Sequence, residues 1–316
     1  VNDKLSPYRP DHEGDGQTRR AGDLTSPSFF QSVWPYVEVT KPASVLLLVF
    51  TGLATIIVAA GGWRLAPDLF VKVLLALGLG CAGANTLTCY IDRDMDGVMD
   101  RTKGRPIPSG RIHPPQRALY WGLALTAVSL VFAWAINPVV FLLGILGFAD
   151  NVLVYSLLLK RRSAWNIILG GFSGGIPVLS GWAAVRGDID LTALLMAAVV
   201  VLWIPNHIWN LAIFYADDYK KVRVPMLPAV VSLARTTRCT MATVVLMYLL
   251  SVALYFVGGF GPIYLVAALA FGLFVTVSNF ILALRPSRER SWLMFKISSP
   301  YLFVLFLAMA LDVLLT

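Results

Sequence analysis

Long apolar runs alternate with short polar stretches along the whole of this chain. Windows of 17–23 residues pass with almost no charge, enough for a helix to cross about 30 Å of hydrocarbon. Their placement predicts nine spans, at about 43–61, 70–91, 117–136, 138–158, 164–185, 191–214, 238–257, 261–283 and 298–315. The fold class that follows is an all-α polytopic membrane protein, with one domain of packed helices over residues 36–316. No soluble segment is large enough to stand alone. Residues 1–30 are polar, with no apolar core behind a basic start, so residues 1–35 read as a flexible cytoplasmic tail and not a signal peptide.

Composition supports this class and redirects the reading of charge. Apolar residues make up 57% of the chain and charged residues 14%, against about a quarter charged in soluble domains. The net charge of +8 is therefore a matter of loops, and a nucleic-acid partner is not expected. With the N-terminus in the cytoplasm, 23 of the 26 Lys and Arg fall on inner segments, leaving Arg64, Lys72 and Arg186 outside. That asymmetry orients the chain by the positive-inside rule and leaves the C-terminus outside. Cys81, Cys89 and Cys239 lie in or at spans without a CxxC pair, so neither a disulfide nor a zinc site is expected.

The second span ends on CYIDRDMDGVMDRTKGRPIPSG, residues 89–110. On a helix, Asp92 and Asp96 share a face, and Thr88 and Asn85 join it one and two turns upstream. Asp100 extends the stripe if the helix continues, while Asp94 points elsewhere. Amide, hydroxyl and carboxylate oxygens form the hard ligand set that suits Mg²⁺. The sixth span also runs inward and finishes WIPNHIWNLAIFYADDYKKVRVPMLP, residues 203–228, with Asp217 and Asp218 at its end. Both acidic ends are followed by basic residues and a proline-rich turn, a faint internal duplication.

Acids near hydrocarbon are costly, and two facing clusters repel. Divalent metal bridging a diphosphate relieves both problems, and nearby Lys and Arg neutralise the charge that grows as a diphosphate leaves. The apolar spans then house a lipid-like tail. A single such cluster also fits a solvated loop; two on one membrane face argue for a site.

At these residues the chain resembles the UbiA superfamily of intramembrane prenyltransferases, and within it the branch that prenylates heme. The resemblance covers roughly residues 36–315. It is carried by YVEVTKP (36–42), CYIDRDMDGVMDRTKGRPIPSGRI (89–112), YSLLLKRRSAWNIILGG (155–171), GIPVLSGWAAVRG (175–187) and the NHIWNLAIFYADDYKKVRVPMLP segment. It implies a nine-helix bundle around a central cavity, in the cell membrane, with its active site on the cytoplasmic side. The implied reaction joins the farnesyl group of farnesyl diphosphate to a vinyl carbon of heme b, with heme as substrate and Mg²⁺ as cofactor. Heme A synthase or oxidase assembly factors are the implied protein partners.

By position, the resemblance assigns Asp92 and Asp96 to Mg²⁺–diphosphate and Asp218 to the second motif. Asp217, Asn85 and Thr88 complete the expected metal set. Arg101, Lys103, Arg105, Lys160 and Arg161 are the expected diphosphate holders. One departure stands out: the family's first motif generally has Asn four residues before its first Asp, where this chain has Thr88, a shorter ligand. Phe214 stands four before Asp218, where other branches carry an acid.

Other polar residues lie within spans. Asn85, Thr88, Tyr155, Asn166, Asn206, Trp209 and Tyr215 are expected to line the cavity, and Asn210 is polar at the same depth. Tyr155, Trp203, Trp209 and Tyr215 also offer faces that stabilise an allylic cation, although for each one ordinary packing or interface anchoring is the first reading. His207 is the one histidine inside a span; axial ligation of heme, proton transfer and a structural hydrogen bond all stay open for it. Asp150 and Asn151 sit mid-span, with no role from the family pattern. The small-residue run GGFSGGIPVLSG (170–181) reads as close helix packing, with Pro177 a candidate kink. Rival functions are prenylation of a quinone precursor or a glycerol lipid, or a transporter whose acids bind a coupling cation.

Overall fold

The computed structural model describes residues 29–63 and 65–316. The expected tail therefore lies, through residue 28, outside the described residues, as does Arg64. Residues 35–316 form one compact unit. Among the described residues every regular element is helical, and nine helices are long and apolar enough to cross a membrane. They cover Pro42–Ala60, Pro67–Ile91, Gln116–Ile136, Pro138–Leu159, Asn166–Arg186, Leu191–Phe214, Leu233–Gly258, Pro262–Leu284 and Arg288–Leu315, and are called here the first to ninth spans.

Local chemistry sets where these helices begin and end. Pro opens the first, second, fourth and eighth spans, where its missing N–H is no loss. Side chains of Asn137, Asp190, Ser232 and Ser287 cap the fourth, sixth, seventh and ninth by accepting from the backbone three residues on, which satisfies an otherwise orphaned donor. The first span closes on Gly61 at φ 64°, with Gly61 N–H donating to Val58 O and Gly62 N–H to Ile57 O, a left-handed stop that glycine adopts without strain. The seventh and ninth spans start earlier than hydropathy suggests. Hydropathy marks where the chain enters oil, whereas Ser232 and Ser287 mark where the helix starts, so polar turns extend past the apolar windows.

Side chains such as Val131, Phe256, Val266 and Phe274 are exposed on the outside of the bundle, as lipid-facing residues are. Inside, Met196, Met247, Tyr264, Leu305 and Phe306 belong to the main core. Small residues set the closest crossings: a Cβ on Gly181 would fall 2.3 Å from Gly52 O, and one on Gly83 would fall 2.4 Å from Thr126 Oγ1. The run at 170–181 is thus a packing device, as read from sequence. At the far end of the ninth span, buried Asp312 accepts from the N–H groups of Gly261, Ile263 (3.0 Å) and Tyr264 (3.2 Å), capping the eighth span across helices.

Two spans are irregular. The fourth changes at Ala149 from α-helix to a π-helix, Ala149–Leu159, and the fifth is broken into Asn166–Leu169, a 3₁₀ turn Phe172–Gly175, and Ile176–Arg186. Pro177 does not kink a continuous helix; it sits in the first turn of a new one, where no intrahelical donor is needed. The break leaves the Ser173 N–H without a helical partner. Asp150 Oδ2 accepts it at 2.7 Å, and Asn151 Nδ2 reaches Ser173 Oγ at 3.4 Å. The intramembrane Asp150 thus binds a broken backbone.

Candidate active site at the paired acidic helix ends

The second and sixth spans finish in the same way. After Ile91 the backbone bends at Asp92 (φ −87°, ψ 0°) and resumes as a six-residue helix, Arg93–Val98. After Phe214 it bends at Tyr215 (φ −99°, ψ 28°) and resumes as Ala216–Lys221. The duplication suspected from sequence is therefore repeated in backbone geometry.

The bends separate the aspartates into an inner and an outer set. Asp92, Asp96 and Asp218 are 3%, 4% and 7% exposed, and the Asp96 N–H donates to Asp92 O, one turn back, at 2.8 Å. Asp94, Asp100 and Asp217 are exposed instead. Every inner carboxylate meets a cation or a backbone donor. Lys160 pairs with Asp92 Oδ2, Arg105 Nη1 lies 2.7 Å from Asp96 Oδ2, and Asp218 accepts from Arg101 N–H at 3.2 Å and from Lys221 at 3.3 Å. The Arg101 contact joins the two motifs, and the Arg101 guanidinium lies 5.3 Å over the Tyr215 ring. Arg161 forks onto Asp94, Lys103 and Lys221 hold Asp100, and Arg288 forks onto Asp217. Asp217 thus turns away from the inner set, contrary to its expected place among the metal ligands. Lys103 and Arg161 belong to the outer ring.

Burial opposes the charge on Lys160, but Tyr155 and Asp92 beside it outweigh this and hold its ammonium above the ordinary lysine range. Thr88 Oγ1 donates to Asn85 O at 2.9 Å and lies 3.5 Å from Lys41 Nζ, while Asn85 Nδ2 donates to Thr40 O at 3.1 Å. Lys41 was missed by sequence reasoning. It is a non-glycine residue at φ 58°, it makes no ion pair with a carboxylate among the described residues, and burial pushes its pKa down. Its signal was the Lys-Pro step opening the first span. Lys221, bridging Asp100 and Asp218, was also missed; it is the second lysine after ADDY in the sequence.

An apolar cavity of about 820 Å³ lies within the bundle, with Asn85, Asn151, Tyr155, Trp203, His207 and Phe295 among its lining. Of the residues expected on its wall, Asn85 and Tyr155 are there. Thr88, Asn166, Asn206, Trp209 and Tyr215 are not. Helical phase explains the sixth span: Trp203, Ile204, His207 and Ile208 face the cavity, so Asn206, Trp209 and Asn210 turn elsewhere. Asn210 Nδ2 donates to Asn206 O and Oδ1, and Trp209 belongs with Met95 and Met226 to a second core. Asn166 braces the Lys160 turn, its Nδ2 lying 3.4 Å from Lys160 O.

No three acidic, Cys or His side chains gather round one point among the described residues, so the expected metal set is not assembled as a protein cage. Mg²⁺ does not need one: it keeps waters and binds through one or two carboxylates plus substrate phosphates. The buried Asp92 Oδ1 has no hydrogen-bond partner, and that vacant hard oxygen, with Asp96 one turn away, fits such an ion.

The sequence pattern of the UbiA prenyltransferase family matches residues 47–308. The chain is 54% identical over 290 residues to protoheme IX farnesyltransferase of Desulforudis audaxviator, covering 92% of each. Its fold is similar to that of a structure concerning digeranylgeranylglyceryl phosphate synthase, with a TM-score of 0.74, 18% identity and coverage of 90% of this chain and 99% of that one. It is also similar to a UbiA homolog from Archaeoglobus fulgidus bound to DMAPP and Mg²⁺, with a TM-score of 0.64, 18% identity and coverage of 85% and 98%. Motifs, nine-span bundle and family match agree: this chain belongs to the UbiA prenyltransferase family.

Proposed function

We propose that the protein transfers the farnesyl group of farnesyl diphosphate to a vinyl group of heme b, releasing diphosphate and giving heme O. The observation that carries this reading is the Arg101–Asp218 contact. It draws both acidic ends, with Arg105, Lys160 and Lys221, into one charged floor. Tyr155 connects that floor to the apolar cavity, since it lines the cavity and carries Lys160 5.5 Å over its ring. The acceptor follows from the relative named protoheme IX farnesyltransferase.

In this mechanism Arg101, Arg105, Lys160 and Lys41 bind the diphosphate and take up the charge that develops as it leaves. Asp92 and Asp96 are the groups that would hold Mg²⁺, which supplies further neutralisation of the leaving oxygens. The C1–O bond of the farnesyl donor breaks with its electron pair on diphosphate. The allylic carbon then bonds the terminal vinyl carbon of heme, and water adds to the inner carbon and releases a proton to solvent. The apolar lining keeps water from the allylic cation before heme captures it, and the Tyr155 ring stands where it can face that cation. Charge asymmetry among the loops supports a site on the cytoplasmic face of the cell membrane.

Purified protein incubated with heme b, farnesyl diphosphate and Mg²⁺, with an EDTA control, tests this directly. The expected result is a Mg²⁺-dependent farnesylated heme by mass analysis. Diphosphate release only with a quinone precursor or glycerol-lipid acceptor would overturn the acceptor while keeping the chemistry.

A further inference from the structure

Ser298 of the ninth span holds two side chains of the sixth. Its carbonyl accepts from Trp203 Nε1 at 2.8 Å, and its hydroxyl oxygen lies 2.7 Å from His207 Nδ1. A hydroxyl has a single proton, and Ser298 Oγ donates that proton to Phe295 O at 2.6 Å. The oxygen therefore meets His207 as an acceptor, so Nδ1 carries the hydrogen. In a neutral imidazole the lone pair then resides on Nε2.

Nε2 has no hydrogen-bond partner among the described residues, and His207 is on the cavity wall. The ring is wedged between Trp203, centroids 4.6 Å apart and 19° from parallel, and Phe295, at 4.4 Å and 33°. Packing on both faces and the Ser298 bond together hold one ring orientation and one tautomer. Histidines that bind metal are held in this way, with the other ring nitrogen donating to a fixed acceptor. The cavity is near the upper end of the roughly 300–1,000 Å³ usual for small-molecule sites, and its aromatic wall suits a flat macrocycle.

We propose that His207 Nε2 ligates the iron of the heme acceptor, fixing the porphyrin in the cavity. This rests on heme b being the acceptor. The iron–nitrogen bond sets the height of the macrocycle along the sixth span, and thereby the distance of its vinyl edge from the acidic ends. A hydroxyl acceptor on Nδ1 polarises the ring less than a carboxylate would, so the bond is a weaker one, as suits a substrate that must depart as product. His207 is then a substrate-positioning ligand, and metal-free protoporphyrin should be a poor competitor.

The test is a titration of the detergent-solubilised full chain with ferric and ferrous heme b, followed by Soret absorption and by resonance Raman of the iron–histidine stretch. The wild type is expected to give a histidine-ligated spectrum. His207→Gly should lose it, and added imidazole should restore both spectrum and turnover. Ser298→Ala should keep ligation, shift the stretch and weaken heme binding about 10–100-fold, as loss of a ligand-orienting partner does. His207→Gln, checked for retained farnesyl diphosphate binding, guards against misfolding. An unchanged spectrum in His207→Gly with heme still farnesylated would overturn the ligation and leave the function standing, as would equal binding of metal-free protoporphyrin. A wild type that neither binds nor farnesylates heme but prenylates another acceptor would overturn the reading beneath it.

Discussion

The Arg101 N–H rests 3.2 Å from Asp218 Oδ2 across 117 residues of sequence, so the loop after the first acidic end is held by the carboxylate of the second. Asp218 is therefore both a site residue and the fastening between two similar half-sites. Asp218→Asn is expected to lower turnover about 10²–10³-fold, the usual effect of removing one group that organises a developing anion. Asp217→Asn, whose side chain faces Arg288 outside, should remain close to wild type in turnover and within about 0.5 kcal/mol in stability. Equal losses from the two changes in a Mg²⁺-dependent heme assay would contradict the inner and outer division.

Buried Asp92 pairs with a largely covered Lys160, at 4% and 17% side-chain exposure. Asp92→Asn should abolish turnover while the protein still inserts. It should also cost stability, about 3–5 kcal/mol for leaving one partner of such a pair alone. The double change Asp92→Asn with Lys160→Met should regain much of that stability without activity. Thermal unfolding in detergent beside turnover separates the two effects; a stable, active Asp92→Asn protein would remove Asp92 from the mechanism.

Thr88 occupies the place where the family generally has Asn, yet its hydroxyl is tied to Asn85 O and faces Lys41. Thr88→Asn is expected to hold or raise turnover, since the carboxamide reaches further with the same hard oxygen. Thr88→Val, which removes the oxygen facing Lys41, should raise KM for farnesyl diphosphate more than it lowers kcat. A large loss from Thr88→Asn would mean that the motif is rebuilt around threonine.

Arg111 forks onto Glu38 at 2.5 and 2.8 Å and also reaches Gly104 O at 2.7 Å, pinning the loop after the first motif. The Arg111 guanidinium holds the Glu38 carboxyl below its ordinary value of 4.5. A lowered folded pKa means stabilisation that is full above pH 4.5 and lost as pH falls through the folded value. The pair is partly exposed, so about 1 kcal/mol or less is at stake, and salt should weaken it. Protection of residues 104–112 against hydrogen exchange, taken relative to the intrinsic rate at each pH, should fall below pH 4.5 in the wild type, whereas in Glu38→Gln it should already be low at neutral pH. A flat wild-type profile would show that Gly104 alone suffices.

Much of the fold was legible because spanning a membrane demands long uncharged runs, and the nine windows follow from that demand. Helix starts were legible only where proline or a capping side chain coincided with the edge of the oil, as at Asn137 and Asp190. At Ser232 and Ser287 they did not coincide. The acidic ends stood out because charge beside hydrocarbon is costly. Which cation each acid meets was not readable, since Lys160 comes to Asp92 from 68 residues away. Asp150 stood out in the sequence by depth alone and had no role there; its partner, the Ser173 N–H, exists because the fifth span breaks, an event set by tertiary packing. Lys41 passed unnoticed because a single lysine at a membrane edge resembles any anchor.

The π-helical stretch of the fourth span, Ala149–Leu159, closes its hydrogen-bonded rings one residue wider than an α-helix does. Each such turn stores a residue of chain that the span does not need for length. Removing one residue from an α-helical span rotates everything beyond it by about 100°, but here a deletion has somewhere to be absorbed, by tightening a wide turn to an ordinary one. The fourth span is thus the place in this bundle where chain length can change while the cavity side chains on either side keep their faces.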